Sequence, residues 1–174
     1  MCKRSNICLF VHSIPYPMAI IRLETRIHAP IEICFDISRD IDVHIKSTKH
    51  TGETAIAGTI TGLIGLGESV TWRARHLGIW QTLTSKITAF NYPVYFTDEM
   101  VQGAFTSFKH EHIFEAKENS TLMTDVFRFE SPLGMLGKLA NHLFLTTYMR
   151  NLLVHRNEVI KKEAERLALL KNEA

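Results

Sequence analysis

Apolar and polar residues alternate in the stretch AIIRLETRI, residues 19–27. This pattern predicts a half-buried strand, because successive side chains of a strand point to opposite faces of a sheet. The next segment, HAPIEICFDISRDIDVH, changes to helical spacing. Pro30 suits the first turn of a helix, and the apolar residues that follow it share one helical face. A second short helix is predicted around Asp40–His44.

Six further segments have the pattern of strands separated by turn residues. They cover residues 48–57, 68–76, 79–90, 94–100, 104–116 and 121–130. The glycine-rich stretch GTITGLIGLG predicts a flexible connection or a lid, and Gln102-Gly103 predicts a tight turn. From about Gly134 to about Lys171, apolar residues recur at helical spacing. This predicts a long C-terminal helix whose charged last turns project into solvent.

An antiparallel sheet with one apolar face must bury that face against another layer. The long C-terminal helix is the only predicted element large enough to cover it. We therefore expect an α+β fold, with a curved antiparallel sheet of about seven strands wrapped around this helix and two short helices after the first strand. No repeat or linker divides residues 18–174, which predicts a single domain. Residues 1–17 are expected to be a disordered leader or a misassigned start.

The stretch FKHEHIF, residues 108–114, places two histidines beside two phenylalanines on one strand face. If the other strands alternate regularly, the same face of the sheet carries further polar and apolar groups. The polar members are Glu68, His76, Asp98, His110, His112 and Asp125, and the apolar members are Trp72, Phe96, Met100, Phe108, Phe114, Met123 and Phe127. Buried charges are costly unless they are paired. The inward face therefore calls for a specific explanation.

Three interpretations remain open for this face. It is a buried His–Asp network that orders the wall, or the polar end of a ligand pocket that orients a carbonyl, hydroxyl or carboxylate group. The third is a metal site formed by His110, His112 and one of His76, Asp98 or Asp125, since a His-x-His pair on a strand presents two imidazoles to one ion. No further histidine-rich motif supports a metal, so none is predicted, and His110, His112 and Asp98 are the candidate ligands.

Composition and charge exclude several classes of protein. The chain has 174 residues, 45% of them hydrophobic and 22% charged, as in an ordinary globular domain. The net charge of +2 gives no case for a nucleic-acid partner. Three cysteines, an odd number, favour a reducing, cytoplasmic location. No stretch approaches the ~20 apolar residues of a membrane-spanning helix.

The glycines of GLIGLG precede a strand pattern instead of opening a helix, so they do not form a dinucleotide site, and no cofactor is predicted. We expect a monomer or a weak dimer.

Three longer stretches, GLIGLGESVTWRARHLG, FTDEMVQGAFTSFKHEHIF and TDVFRFESPLGMLG, resemble one protein family. Together with the opening strand and helix pair, they are similar to the START and birch-pollen-allergen superfamily, also called SRPBCC. More specifically, they resemble a bacterial subgroup described as cyclase/dehydrase-like or coenzyme-Q-binding-like. The resemblance covers Met18 to about Leu170 and implies the helix-grip fold. Members of this superfamily bind lipids, sterols, quinones, polyketides or hormones, and some catalyse cyclisation.

The first functional hypothesis is therefore a binding protein for a small hydrophobic molecule, such as a lipid, a quinone or a polyketide-like compound. The predicted ligand-binding residues are Glu68, Trp72, His76, Phe96, Asp98, Met100, Phe108, His110, His112, Phe114, Asp125 and Phe127 from the sheet, with Tyr148 and Met149 from the long helix. The second hypothesis is a cyclase or dehydratase in which His–Asp pairs act as acid and base. Its catalytic candidates are His110, His112, Asp98 and Asp125. The third is a partner-binding module with a filled cavity.

Overall fold

The structure, a computed structural model, describes residues 18–76, 78–130 and 138–172. The strands are β1 (Ala19–Ile27), β2 (Thr54–Gly58), β3 (Ser69–His76), β4 (Ile79–Asn91), β5 (Tyr95–Gln102), β6 (Ser107–Lys117) and β7 (Ser120–Glu130). The helices are α1 (Ile31–Ser38), α2 (Ile41–Ser47) and α3 (Lys138–Asn172). The predicted leader, residues 1–17, lies outside the described residues. Among the described residues, no helix is both long enough and apolar enough to span a membrane.

The seven strands form one antiparallel sheet in the order β1-β7-β6-β5-β4-β3-β2. Strands β2 to β7 follow one another along the chain, and β1 completes the sheet by pairing with β7. The long helix α3 packs against β1, α1 and α2. This is the predicted α+β helix-grip architecture, so the predicted fold class is confirmed.

Local sequence explains the two short helices. Pro30 directly precedes α1, where its missing N–H costs nothing. Asp40 caps α2, because its Oδ1 accepts hydrogen bonds from the backbone amides of Asp42 at 2.8 Å and Val43 at 3.1 Å. Both helices place apolar side chains against α3 and the sheet, which closes one end of the fold.

Two apolar clusters hold the sheet against the helices. The first joins α1 and the C-terminal half of α3 to the sheet, with Phe35 packed among the rings of Phe96 and Phe114 at 5.3 Å between ring centroids. The second joins Phe108, Phe127 and Phe129 of the sheet to Leu153 of α3. Each large buried side chain contributes roughly 1.5–3 kcal/mol by removal from water.

The strand predicted at residues 48–57 is mostly wrong. Only residues 54–58 form β2, and Lys49–Thr51 form a short 3₁₀-helix after α2. The hydroxyl of Thr48 donates to the carbonyl of His44 at 3.0 Å, and that of Thr51 donates to the carbonyl of Thr48 at 2.7 Å. These local hydrogen bonds compete with strand pairing, which explains why threonines did not mark a strand here.

Two further boundaries differ from prediction. The Gln102-Gly103 turn is not tight, because four residues, 103–106, connect β5 to β6. The last turns of α3 do not simply project into solvent. Ala164 and Ala168 are buried against the first apolar cluster, since small side chains let the helix approach α1 closely.

The glycine-rich segment between β2 and β3 is hydrogen-bonded to both short helices. Thr61 and the amide of Gly62 donate to the Asp42 carboxylate at 2.7 and 2.9 Å. Arg39 Nη1 donates to the carbonyl of Ile64 at 3.0 Å. The Ile64 side chain is buried and faces inward, so this segment forms part of a wall.

Gly58, at the end of β2, is required by both its conformation and its surroundings. Its φ is +75°, and a Cβ at this position would lie 2.1 Å from the carbonyl oxygen of Ser69. Gly58→Ala is expected to lower the free energy of unfolding by about 2 kcal/mol or more. Gly62→Ala is the matched control, because Gly62 has φ +72° with nothing within 4 Å. Its loss should be about 1 kcal/mol. Equal losses in urea titrations would show that the Ser69 contact is unimportant.

Candidate functional site

A cavity of about 330 Å³ lies between the inner face of the sheet, α2 and α3. Its apolar lining includes Ile41, Ile64, Val70, Trp72, Ala74, Leu83, Ile87, Phe96, Phe105, Phe108, Phe127, Leu145, Met149, Leu152 and Leu153. Its polar lining includes Arg39, His44, Glu53, His76, Gln81, Asp98, His110, His112, Tyr148 and Arg156. The polar side chains are concentrated in two groups that arise from different parts of the chain.

The first polar group is set by strand register. On β6, His112 lies opposite Phe96 of β5 and Asp125 of β7, and His110 lies opposite Asp98 of β5. Directly opposed residues in an antiparallel pair have their side chains on the same face and in contact. The alternation of FKHEHIF therefore places each histidine next to one aspartate.

Hydrogen bonds join these four side chains. His110 Nε2–H donates to Asp125 Oδ1 at 2.9 Å, and His112 Nε2–H donates to Asp98 Oδ1 at 3.1 Å. His112 Nδ1 also lies 2.8 Å from Asp125 Oδ1, but it is too poorly aligned to count as a hydrogen bond. The Asp125 and His112 side chains are 0% and 1% exposed, whereas Asp98 is 20% exposed and reaches the cavity.

Helix α3 supplies a second layer behind the histidines. Asn157 Nδ2 donates to Asp125 Oδ2 at 2.7 Å and contacts Thr25 Oγ1 at 3.2 Å. Arg156 Nη1 lies 3.6 Å from Asp125 Oδ1, and Arg156 Nη2 donates to the carbonyl of Ser38 at 2.9 Å. Asp125 is thus held from both sides and fixes the two histidine rings.

Burial and hydrogen bonding move the pKa values of this group apart. Burial lowers the pKa of His110 to about 4, and the neighbouring His112 adds to this effect. Burial alone raises the pKa of Asp125, but the hydrogen bond from His110 and the close contact with His112 outweigh it and hold the pKa well below 3.8. Burial likewise opposes ionisation of Asp98, yet the His112 hydrogen bond lowers its pKa overall. At neutral pH, His110 is uncharged and both carboxylates are ionised.

The second polar group was missed by sequence analysis except for Trp72, His76 and Tyr148. His44 Nε2–H donates to Glu53 Oε1 at 3.0 Å, and the His44 ring stacks on Trp72 with 4.2 Å between centroids. His76 Nδ1 and Tyr148 Oη are hydrogen-bonded at 2.9 Å. Burial lowers the pKa of His76. Burial alone raises the pKa of Glu53, but the charge of His44 lowers it overall.

Most predicted ligand-binding residues line the cavity. They are Trp72, His76, Phe96, Asp98, Phe108, His110, His112, Phe127, Tyr148 and Met149. Four others lie outside its lining: Glu68, Met100, Phe114 and Asp125.

The reasons for these four exceptions differ. The expectation that Glu68 faces inward is wrong, because it precedes β3 in an exposed turn and accepts a hydrogen bond from the amide of Gly65 at 2.6 Å. Phe114 is buried in the first apolar cluster, and Met100 packs on the second. Asp125 is fully buried behind His110.

Arg156 and Asn157 are functional candidates that the sequence analysis overlooked, although the sequence carried a signal. Arg156 lies three residues after Leu153 and four before Ile160. Asn157 lies four residues after Leu153 and three before Ile160. Leu153 and Ile160 are both buried. On a helix, residues three or four apart share a face. Two adjacent polar residues in an apolar stripe therefore indicate a buried polar partner on the sheet.

The architecture matches solved structures over most of the chain. The Zhui aromatase/cyclase from Streptomyces sp. R1128 superposes with a TM-score of 0.68 at 14% identity, over 86% of this chain and 95% of that one. A START superfamily protein from Mycobacterium smegmatis superposes with a TM-score of 0.65 at 14% identity, over 85% of this chain and 98% of that one. The chain has the START-like helix-grip fold. Ginseng major latex-like protein 151 from Panax ginseng has the same fold, with a TM-score of 0.60 at 15% identity, over 84% of this chain and 97% of that one.

No protein-family model and no curated protein matches the sequence. At identities this low, the structural matches establish its fold and not its ligand.

Proposed function

We propose that the START-like domain binds a small, largely apolar molecule with one polar head group in the cavity between sheet and α3. One observation carries this proposal: a space of about 330 Å³ has mostly apolar walls but meets Asp98, His110 and His112 on one side. Small-molecule pockets usually measure ~300–1,000 Å³ and combine apolar walls with a few convergent polar groups.

The polar wall offers complementary groups to a head group. Asp98 reaches the cavity and accepts hydrogen bonds, so it suits a hydroxyl donor. Arg156 also lines the cavity and brings a positive charge to this wall. A guanidinium group suits a carbonyl or carboxylate oxygen. Lipids, quinones and polyketide-like compounds all combine an apolar body with such oxygens.

Replacing both His110 and His112 with phenylalanine is not a clean test of this function. Both rings contact Asp125, so their removal leaves a fully buried carboxylate without its main partners. Loss of the fold would then be indistinguishable from loss of the ligand. Variants in the less buried parts of the lining are more informative.

Acid–base catalysis on the bound molecule is the second candidate function. Its support is the pairing of histidines with aspartates inside the cavity, on a fold shared with an aromatase/cyclase. However, a pKa of about 4 makes His110 a weak base at pH 7, and efficient acid–base groups have a pKa near the working pH. Ligand binding is therefore the function that the geometry supports best. The third hypothesis, a filled cavity, is disfavoured by the open volume.

Filling the cavity should prevent binding of an apolar probe. Ala104 lines the cavity and is half-buried in the connection between β5 and β6, where an indole can enter without displacing a strand. In a fluorescence titration with N-phenyl-1-naphthylamine, Ala104→Trp is expected to weaken binding about tenfold or more. Ala57→Trp, on the exposed surface of β2, should bind as the wild type does. A wild type that does not bind the dye, or two variants with the same affinity, would contradict the proposal.

A further inference from the structure

Three donor groups converge on the cavity wall. Asp98, His110 and His112 each offer one donor atom, and these atoms lie within 4.8 Å of one another. Asp98 Oδ1 is 3.1 Å from His112 Nε2 and 3.8 Å from His110 Nδ1. Tetrahedral zinc with bonds of about 2.0–2.1 Å separates its ligand atoms by about 3.3 Å. The two distances to Asp98 bracket this value, and the two imidazole nitrogens lie within 4.8 Å of each other, so inward side-chain movements would complete the coordination geometry.

One carboxylate lies behind both imidazoles, hydrogen-bonded to His110 and in close contact with His112. Asp125 Oδ1 lies 2.9 Å from His110 Nε2 and 2.8 Å from His112 Nδ1. The opposite nitrogen of each ring, His110 Nδ1 and His112 Nε2, therefore faces Asp98. Metal binding through His112 Nε2 moves the proton of this ring to Nδ1, next to Asp125 Oδ1. Metal-binding histidines usually contact a carboxylate or carbonyl through the nitrogen that does not bind the ion. Asn157 in turn fixes the Asp125 carboxylate at 2.7 Å.

The proton on His110 leaves an unfavourable contact that a cation would relieve. His110 Nε2–H donates to Asp125, so the uncharged ring carries a lone pair on Nδ1. That lone pair faces the Asp98 carboxylate oxygen at 3.8 Å. Two acceptors that face each other repel, whereas a positive ion between them attracts both.

We propose that Asp98, His110 and His112 bind one divalent metal ion at the cavity wall. Two imidazole nitrogens and one carboxylate oxygen form a donor set that zinc accepts readily. Asp98, His110 and His112 all line the cavity, so the fourth coordination position opens into it. Zinc sites with three protein ligands and an open position bind water or a ligand oxygen there.

This inference does not rest on the proposed ligand. A metal ion at the wall can be detected in a protein without any organic ligand, and dye binding can be measured in a protein treated with a chelator. If the protein binds both a metal ion and an organic ligand, the ion contacts an oxygen of the head group. Asp98 then binds the metal instead of accepting a hydrogen bond from the ligand.

The test is a titration of the chelator-treated full chain with Zn²⁺ by calorimetry and with Co²⁺ by visible absorption. The wild type is expected to bind one equivalent of each ion and to show the intense d–d bands of a four-coordinate cobalt site. Asp98→Asn should weaken zinc binding about tenfold or more, because an amide is a much poorer zinc ligand than a carboxylate. Asp125→Asn should weaken it about 10- to 100-fold through loss of ring orientation.

The control must address surface histidines, since the chain has nine in all. His50 and His155 are exposed, and their rings lie 5.2 Å apart, so they are a plausible adventitious pair. The His50→Ala, His155→Ala double variant is expected to bind zinc as the wild type does. The proposal is overturned if the wild type binds no zinc at micromolar concentration, if folded Asp98→Asn binds it equally well, or if this control loses it. Where Asp98→Asn does not fold, the wild-type stoichiometry and the surface control together decide the matter: one equivalent that persists in the control supports the site, and an equivalent that is lost overturns it.

Discussion

Asp125→Leu is expected to lower the free energy of unfolding by about 3–5 kcal/mol, because it removes one partner from a buried set of paired charges. Asp125 is fully buried and accepts hydrogen bonds from His110 and from Asn157. Leucine has a similar volume but no acceptor, so these donors lose their partner, and the nearby Arg156 loses a compensating charge. Urea denaturation of the purified variant measures the loss.

Two variants calibrate this result. Asp125→Asn keeps one acceptor oxygen and should lose clearly less stability than Asp125→Leu. Glu99→Gln, on the more exposed face of β5, removes only a contact of 4.0 Å with Lys109 and should change stability by about 1 kcal/mol or less. If Asp125→Leu proved as stable as Glu99→Gln, the buried network would not hold the sheet and α3 together.

The second large effect is a loss of stability in mild acid. His110 has a folded-state pKa of about 4, below its ordinary value of 6.5. Between these pH values, His110 is therefore protonated in the unfolded chain and uncharged in the folded one. Stability therefore rises with pH in this window and falls as the pH drops from 6.5 to 4. One unit of pKa corresponds to about 1.4 kcal/mol, which gives a total on the order of 3 kcal/mol.

Below about pH 4 the aspartates continue the loss. The folded-state pKa values of Asp98 and Asp125 are lowered, so the stability they contribute is complete above 3.8 and disappears as the pH falls through the folded values. His110→Gln should flatten the slope between pH 6.5 and 4, whereas His28→Gln, at an exposed site, should leave it unchanged. Because burial also lowers the pKa of His76, part of the slope should remain in His110→Gln. A slope identical to that of the wild type would assign the acid sensitivity to groups other than His110.

Strand periodicity predicted the first polar group because it depends on local alternation. The bounds of β1 agree with the predicted stretch of residues 19–27. The regular alternation of β5, β6 and β7 places four side chains on the inner face of the sheet, as expected: Asp98, His110, His112 and Asp125. The prediction failed where a single residue lies just outside a strand. Glu68 precedes the first residue of β3, so its side chain follows the turn and not the pleat.

The second polar group could not be found in this way. His44 belongs to α2, and Glu53 lies between the 3₁₀-helix and β2, so their contact depends on how these elements fold over Trp72. Periodicity within one element carries no information about such a contact. Arg156 and Asn157 differ, because their positions on the buried stripe of α3 were readable from helical spacing alone.

The most direct test of the account is native mass spectrometry of the purified chain, before and after treatment with a chelator, followed by organic extraction. The account predicts a co-purified molecule of small mass that survives chelation, is retained by Ala57→Trp and is absent from Ala104→Trp. A mass difference of one zinc ion that disappears after chelation would support the separate proposal of a metal site. A wild type and an Ala104→Trp variant with the same bound mass and the same extract would contradict the claim that this cavity holds a ligand.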